Sequence, residues 1–146
     1  MKNNLKLLTV LFLFALMSCS SDDSNSNKIS NQTLQGKVFG EDFTAVGGKA
    51  FTSGDNISVN ITNEVVGCDE TIIDYDLYIS TYVTPKVGVY ESINVVFQKD
   101  GEIPLNFFGG TVEVTALTDD EITVKILADS SSDKMIEGTF TVPVCD

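Results

Sequence analysis

Alternation of apolar and polar residues with a period of two is the feature that most constrains the fold of this sequence. The apolar positions are mainly β-branched or aromatic, and the alternation recurs at residues 57–61, 73–83, 112–116, 122–128 and 136–144. Successive side chains of a β-strand point to opposite faces of the sheet, so each segment is typical of a strand with one buried face. Beyond the N-terminal segment, no stretch of twelve residues has the period of an amphipathic helix. We therefore expect an all-β domain.

Turn residues separate the predicted strands at short intervals. Asp100-Gly101, between Phe97 and Ile103, is a strong hairpin signal because both residues tolerate the positive φ of a two-residue loop. Further turns are predicted at residues 40–42, 47–48, 53–56, 108–110, 119–120 and 129–133. The pattern predicts a single domain over residues 33–146 with about eight to ten antiparallel strands, folded as a β-sandwich or, alternatively, as an up-and-down β-barrel.

The N-terminal segment has the composition of a bacterial lipoprotein signal. Two lysines precede an apolar run at residues 7–17, which is too short to span a bilayer of about 30 Å as a helix. The run ends in Leu-Met-Ser-Cys at residues 16–19, which resembles the bacterial lipobox. That resemblance implies removal of residues 1–18, a diacylglyceryl group on the Cys19 sulfur, and a further acyl group such as palmitate on its amine. An ordinary secretory signal is the alternative.

Residues 19–32 are expected to be a disordered acidic tether that begins at the lipidated Cys19. Ser, Asn and Asp dominate this segment, so it cannot bury enough apolar surface to order itself. Ser20-Ser21-Asp22-Asp23 resembles the acidic surface-export signal of Bacteroidetes lipoproteins. The resemblance implies lipid anchoring in the outer membrane with the domain facing the cell surface, and the periplasmic face is the alternative.

Cys68 and Cys145 are expected to form a disulfide. An exported protein lies in an oxidising compartment, and an even number of cysteines is left after lipidation of Cys19. Two free thiols are the alternative. A catalytic role for either residue is disfavoured, because the sequence contains no His to lower the pKa of the thiol.

The absence of His and Arg narrows the classes of function. Ser-His-Asp and Cys-His relays and imidazole metal sites require His. A formal net charge of -12 without Arg disfavours nucleic acid as a partner. Only carboxylates remain for acid–base catalysis, and 21 acidic residues make accidental pairs inevitable, so a carboxylate-dependent hydrolase is an unfavoured alternative. We assign no cofactor and no metal, although Ca²⁺ at an acidic turn stays open.

The polar side of the predicted strand at residues 72–83 is the candidate binding surface. Alternation places on that side, about 6.6 Å apart, Asp74, Asp76, Tyr78, Ser80 and Tyr82. Aromatic rings stack on sugars and carboxylates accept hydrogen bonds from hydroxyls. A ligand such as a glycan is therefore predicted to bind at Asp74, Asp76, Tyr78 and Tyr82. The alternative is an ordinary solvent-facing strand, in which Tyr is simply a good β-former.

Three short motifs resemble the sequences of small lipoproteins of Bacteroidetes. Residues 35–45, QGKVFGEDFTA, resemble the family's opening segment. Gly88-Val89-Tyr90 is similar to its central G-x-Y element, and residues 137–142 followed by Cys145 are similar to its closing G-x-F strand. The resemblance implies an all-β lipoprotein of a flavobacterial type. The family has no assigned activity, so it implies no catalytic residue.

These observations together predict a non-enzymatic lipoprotein of the cell envelope. Its domain is expected to bind an unidentified protein or glycan partner, while the lipid anchor attaches it to the membrane. A structural or assembly accessory of an outer-membrane complex is the alternative.

Overall fold

The structure, a computed structural model, describes residues 28–71 and 75–145. These residues form nine β-strands and no helix: β1 Gln35–Val38, β2 Glu41–Thr44, β3 Gly47–Ser53, β4 Asn56–Thr62, β5 Leu77–Val83, β6 Gly88–Lys99, β7 Leu105–Leu117, β8 Glu121–Ser131 and β9 Lys134–Cys145. The all-β class is confirmed. Cys19, the signal segment 1–18, the tether up to residue 27, and Asp74 lie outside the described residues. In the part that is described, no helix is long and apolar enough to cross a membrane.

Strands β3 to β9 form a closed barrel. Each of these strands pairs antiparallel with the one that follows it in sequence, and β9 also pairs with β3. Seven alternating strands leave the first and the last running in the same direction, so the closing pair is parallel. It consists of Ala50 opposite Val144 and Phe51 opposite Cys145.

The predicted alternative, the up-and-down barrel, is therefore the observed architecture, in place of the two-sheet sandwich. Strands β6 to β9 are 11 to 13 residues long, and their pairing contains register shifts at three strand pairs. Bulges of this kind bend strands and increase their twist, which lets one continuous sheet curl until it closes. The alternation pattern is the same in a sandwich and in a barrel, so it could not separate the two.

The apolar phase of the strands fills the barrel interior, as the alternation predicts. The fully buried side chains of this core include Val59, Ile61, Ile79, Val95, Phe97, Val112, Val114, Ile122, Val124, Ile126 and Val142. A barrel of this size has an interior just wide enough for side chains. Clefts among the described residues accordingly lie on the outside and at the ends of the barrel.

The hairpin β1–β2 extends the sheet from β9 and spans one end of the barrel. β1 pairs with the first part of β9, and Phe43 of β2 is buried in the core. At the hairpin tip, the N–H of Gly40 donates to the carbonyl of Asp133 over 2.8 Å. Glu41 forms an ion pair with Lys99, with 2.7 Å between oxygen and nitrogen. The hairpin thus connects the β8–β9 turn with the end of β6.

The connection from β4 to β5 runs back over the outer face of β3, where the predicted disulfide holds it. Cys68 and Cys145 are bonded, with 5.6 Å between their Cα atoms and a sequence separation of 77. The backbone of residues 64–66 passes so close to Gly47 that a Cβ atom there would lie 2.2 Å from a carbonyl oxygen. Lys49 donates to carbonyl oxygens of the same connection. The disulfide therefore fastens this connection to the last strand, beside the parallel β3–β9 pair.

Candidate functional site

The predicted site residues of β5 do not form one open surface. Asp76 is exposed just before β5, at a cleft that it lines with Glu41 and Lys99 at one end of the barrel. Tyr78 is buried, with 7% of its surface exposed, whereas Tyr82 is 51% exposed. A ligand-binding role for Asp74 and Asp76 stays a prediction. The expectation that Tyr78 and Ser80 face solvent is wrong.

Gln98 of the neighbouring strand β6 satisfies the buried hydroxyl groups of Tyr78 and Ser80. The hydroxyl of Tyr78 donates to Gln98 Oε1 over 2.5 Å, and Gln98 Nε2 donates to Ser80 Oγ over 3.3 Å. Burial raises the pKa of Tyr78, and the hydrogen bond to Gln98 acts in the opposite direction. Their neighbours on β4, Asn60 and Thr62, are polar and buried as well. This part of the face is a satisfied polar layer, which period-two alternation cannot distinguish from an exposed one.

Register places Tyr82 beside two residues that the sequence pattern did not single out. Thr81, which precedes Tyr82, lies opposite Val95, and Val95 lies opposite Phe107. The β5–β6 pairing ends at Thr81 opposite Val95. Tyr82, Asn94 and Phe108 are the next residues along the three strands, which brings them near one another across β5, β6 and β7. This row of three residues lies on the outer face of the sheet, because the residues next to its members in sequence, Val83, Val95 and Phe107, pack toward the core.

This aromatic–amide row, Tyr82, Asn94 and Phe108, presents two exposed rings on either side of a carboxamide. Phe108 is 68% exposed. Asn94 Nδ2 donates to Asn106 Oδ1 over 2.8 Å, so a second carboxamide lies against the first. Asn94 Oδ1 is buried and has no hydrogen-bond partner among the described residues. A buried acceptor without a donor is unfavourable by about 1–3 kcal/mol.

A β-bulge turns Phe108 outward. The pairing of β6 with β7 shifts between Ile93 and Val95, so that Phe108 and Gly109 together oppose Asn94. A Cβ atom on Gly109 would lie 2.6 Å from the ring of Phe107, so a larger residue would require that ring to shift. The turn predicted at residues 108–110 is therefore wrong, because this segment is an irregularity inside β7. Bulges are common next to binding sites because they re-aim side chains.

The described acidic residues do not assemble into a metal site. In residues 28–71 and 75–145, no group of three or more Asp, Glu, Cys or His side chains is arranged to hold a metal ion. The acidic turns have other partners. Lys134 and Ser131 donate to the carboxylate of Asp133 and hold its pKa below the ordinary value.

No protein-family model matches the sequence, and comparisons with curated proteins and with solved structures return no match. Function is therefore inferred from the exposed chemistry of the barrel.

Proposed function

We propose that this protein is a non-enzymatic, lipid-anchored binding protein of a Bacteroidetes-type cell envelope, and that its barrel binds a glycan on the aromatic–amide row. The observation that carries the proposal is the row itself, with Tyr82 and Phe108 exposed on either side of Asn94. Exposed aromatic side chains that gather beside polar groups are typical of recognition surfaces.

The chemistry of the row suits a saccharide. The C–H face of a pyranose ring is apolar and stacks on an aromatic ring, while its hydroxyl groups point sideways as hydrogen-bond donors and acceptors. Tyr82 and Phe108 supply two stacking faces. Beside them, the exposed carboxamide of Asn106, which accepts a hydrogen bond from Asn94 Nδ2, adds hydrogen-bonding capacity. An extended oligosaccharide across the row would place hydroxyls over the carboxamides and rings over the aromatics.

The anchor and the net charge of the protein fit a domain that faces solution. Two or more acyl groups on Cys19 would hold the protein stably, whereas a single one holds only marginally. Residues 29–32 of the predicted tether lie on the barrel, where Ile29 is buried and Ser30 donates to Glu137. Residues 19–27 would reach at most about 30 Å, which lets the barrel stand away from the bilayer. A net charge of -12 favours separation from an anionic membrane surface.

A glycan array probed with the fluorescently labelled protein tests this function. Wild type is compared with a Tyr82→Ala/Phe108→Ala variant and with a matched control, Val65→Ala/Ile103→Ala, which also removes two exposed apolar side chains. We expect wild type and control to retain the same glycans, and the Tyr82→Ala/Phe108→Ala variant to bind them at least about tenfold more weakly, a change of about 1.4 kcal/mol. Equal binding by all three proteins, or no retention of any glycan, would contradict the proposal.

A further inference from the structure

Strands β7 and β8 separate at the end that lies away from their connecting turn. Their pairing runs from Leu117 opposite Ile122 to Thr111 opposite Leu127 and ends there. Beyond that point, and among the described residues, 105–110 of β7 pairs only with β6, and 128–131 of β8 pairs only with β9. A strand has two edges, so each of these segments keeps one row of backbone N–H and C=O groups without a strand partner. Unpaired edges are templates for pairing with another strand.

The two edges face a cleft of about 630 Å³, here named the β7–β8 cleft, which lies within the range of about 300–1,000 Å³ for ligand pockets. Gly109 is exposed on the β7 side, and it carries no Cβ that would shield the backbone. Phe107 and Leu127 supply apolar lining. An extended backbone can therefore approach the β7 edge from the cleft.

Charge at the cleft selects a basic occupant. Two carboxylates line it, those of Asp129 and Glu137, against a single cation among the described residues, Lys28. Glu137 is positioned by the backbone N–H of Ser30, which donates to its Oε1 over 2.9 Å. The whole protein is also negative, with a net charge of -12, so long-range attraction favours a positive partner.

We propose that the β7–β8 cleft binds an extended segment of a partner protein as an added β-strand, with the ammonium or guanidinium group of a Lys or Arg facing Asp129 and Glu137. Strand addition draws affinity from main-chain hydrogen bonds and specificity from the pockets and charges beside the edge. Lys28 lines the cleft and lies within the sequence predicted to be the tether, so the cleft lies close to the point where the tether meets the barrel. This interaction uses the backbone edges of β7 and β8, whereas glycan binding uses outward side chains of the aromatic–amide row; Phe108 lies on the β7 segment that both use.

The test is an NMR titration of the ¹⁵N-labelled protein with three synthetic peptides. The first alternates Lys and Thr over seven residues, the second replaces Lys by Glu, and the third is the first with N-methylated backbone amides. We expect saturable shifts with the first peptide, centred on the amides of residues 105–110 and 128–131, together with slowed hydrogen exchange on those edges. The Glu peptide and the N-methylated peptide are expected to bind at least about tenfold more weakly.

A pair of charge variants isolates the role of the two carboxylates. The Asp129→Asn/Glu137→Gln variant keeps an acceptor for Ser30 and is expected to weaken binding of the Lys peptide about tenfold. Asp119→Asn/Asp120→Asn removes the same charge at the exposed β7–β8 turn and is expected to bind as wild type does. Absence of saturable shifts, shifts centred elsewhere, or equal affinity for the N-methylated peptide would overturn the proposal.

Discussion

Lys49 holds the connection between β4 and β5 through hydrogen bonds from its ammonium group to backbone carbonyls. The residue is only 8% exposed, and Nζ donates to the carbonyl oxygen of Cys68 over 3.1 Å and to that of Glu70. Lys is almost never fully buried without a partner. Here the ammonium group binds two carbonyl oxygens of one turn, much as a bound cation would. It thereby orders the segment that carries half of the disulfide.

Replacing Lys49 by Met tests this role. The variant keeps the apolar stem and leaves both carbonyl oxygens without their charged donor, so we expect a loss of about 1–3 kcal/mol in the free energy of unfolding. Urea denaturation measures it. Lys37→Met is the matched control, because Lys37 pairs with Asp42 on the exposed surface, where such a pair contributes at most about 1 kcal/mol. Equal losses in the two variants would contradict the account of Lys49.

Glu70 makes the same turn dependent on pH. The backbone N–H of Gly67 and the hydroxyl of Tyr75 hold the pKa of Glu70 below its ordinary value of 4.5. A carboxyl whose pKa is lowered by folding stabilises the fold fully above its unfolded pKa, and the contribution is lost as pH falls through the folded pKa. We expect the amide shift of Gly67 to titrate with a midpoint below 4.5, and this titration to vanish in Glu70→Gln. A midpoint at or above 4.5 would show that these hydrogen bonds do not favour the charged form.

At the scale of strands and turns, local sequence predicted the elements but not their alignment. The Asp100-Gly101 signal is confirmed as the β6–β7 turn, because a hairpin loop is decided by the residues within it. Gly109-Gly110 has the same local signature, yet it lies in a bulge beside the ring of Phe107. The aromatic–amide row depends on the registers of three strands. No local pattern contains that information, so Asn94 and Phe108 could not be found from the sequence.

Gly138 shows how one position can control the docking of a whole segment. Its φ is +138°, and a Cβ atom there would lie 2.7 Å from the carbonyl oxygen of Gln32 and from Leu34 Cα. The adjacent Thr139 exchanges backbone hydrogen bonds with these two residues. We expect Gly138→Ala to lower the free energy of unfolding by about 2–4 kcal/mol through strain and overpacking. Gly88→Ala, whose Cβ would meet nothing closer than 3.7 Å, should change it by less than about 0.5 kcal/mol. Similar urea midpoints for the two variants would contradict this account.

At the scale of the whole molecule, the barrel closes through its shortest pairing. Strands β6, β7, β8 and β9 form long antiparallel ladders, whereas β3 and β9 share only two parallel residue pairs. Parallel pairing is slightly less stable per residue than antiparallel pairing. The Cys68–Cys145 disulfide lies at the end of this closure, and it restrains both the β4–β5 connection and the last strand. We infer that the covalent bond compensates for the weak closure.

Removing the disulfide should therefore act locally as well as globally. The bond joins residues 77 apart and so restricts the unfolded state. The entropy that this restriction removes corresponds to roughly 4–5 kcal/mol of stability, which the Cys68→Ala/Cys145→Ala variant would lose on urea denaturation. Hydrogen exchange should accelerate first at residues 50–51 and 144–145, while the β6–β7 and β7–β8 ladders stay protected. A loss below about 1 kcal/mol, or acceleration spread evenly over the barrel, would contradict this role.

At this scale, the sequence predicted the all-β class of the molecule but did not decide whether its sheet closes into a barrel. The disulfide was predicted from an oxidising compartment and from the even number of cysteines left after lipidation of Cys19, and it is confirmed. Closure depends on the bulges of β6 to β9 and on the meeting of β3 with β9, which are distant in sequence. Lipidation of Cys19 and the surface-export signal depend on recognition by processing enzymes and lie outside the described residues, so they stay predictions.

The most direct test of the central claim is a titration of the ¹⁵N-labelled protein with a panel of soluble oligosaccharides, followed by backbone NMR. The account predicts saturable shifts with one class of glycan, centred on the amides of Tyr82, Asn94 and Phe108, while those of Val65 and Ile103 stay unchanged. Shifts centred on residues 128–131, across the β7–β8 cleft, or no saturable shift with any glycan, would contradict glycan binding on the aromatic–amide row.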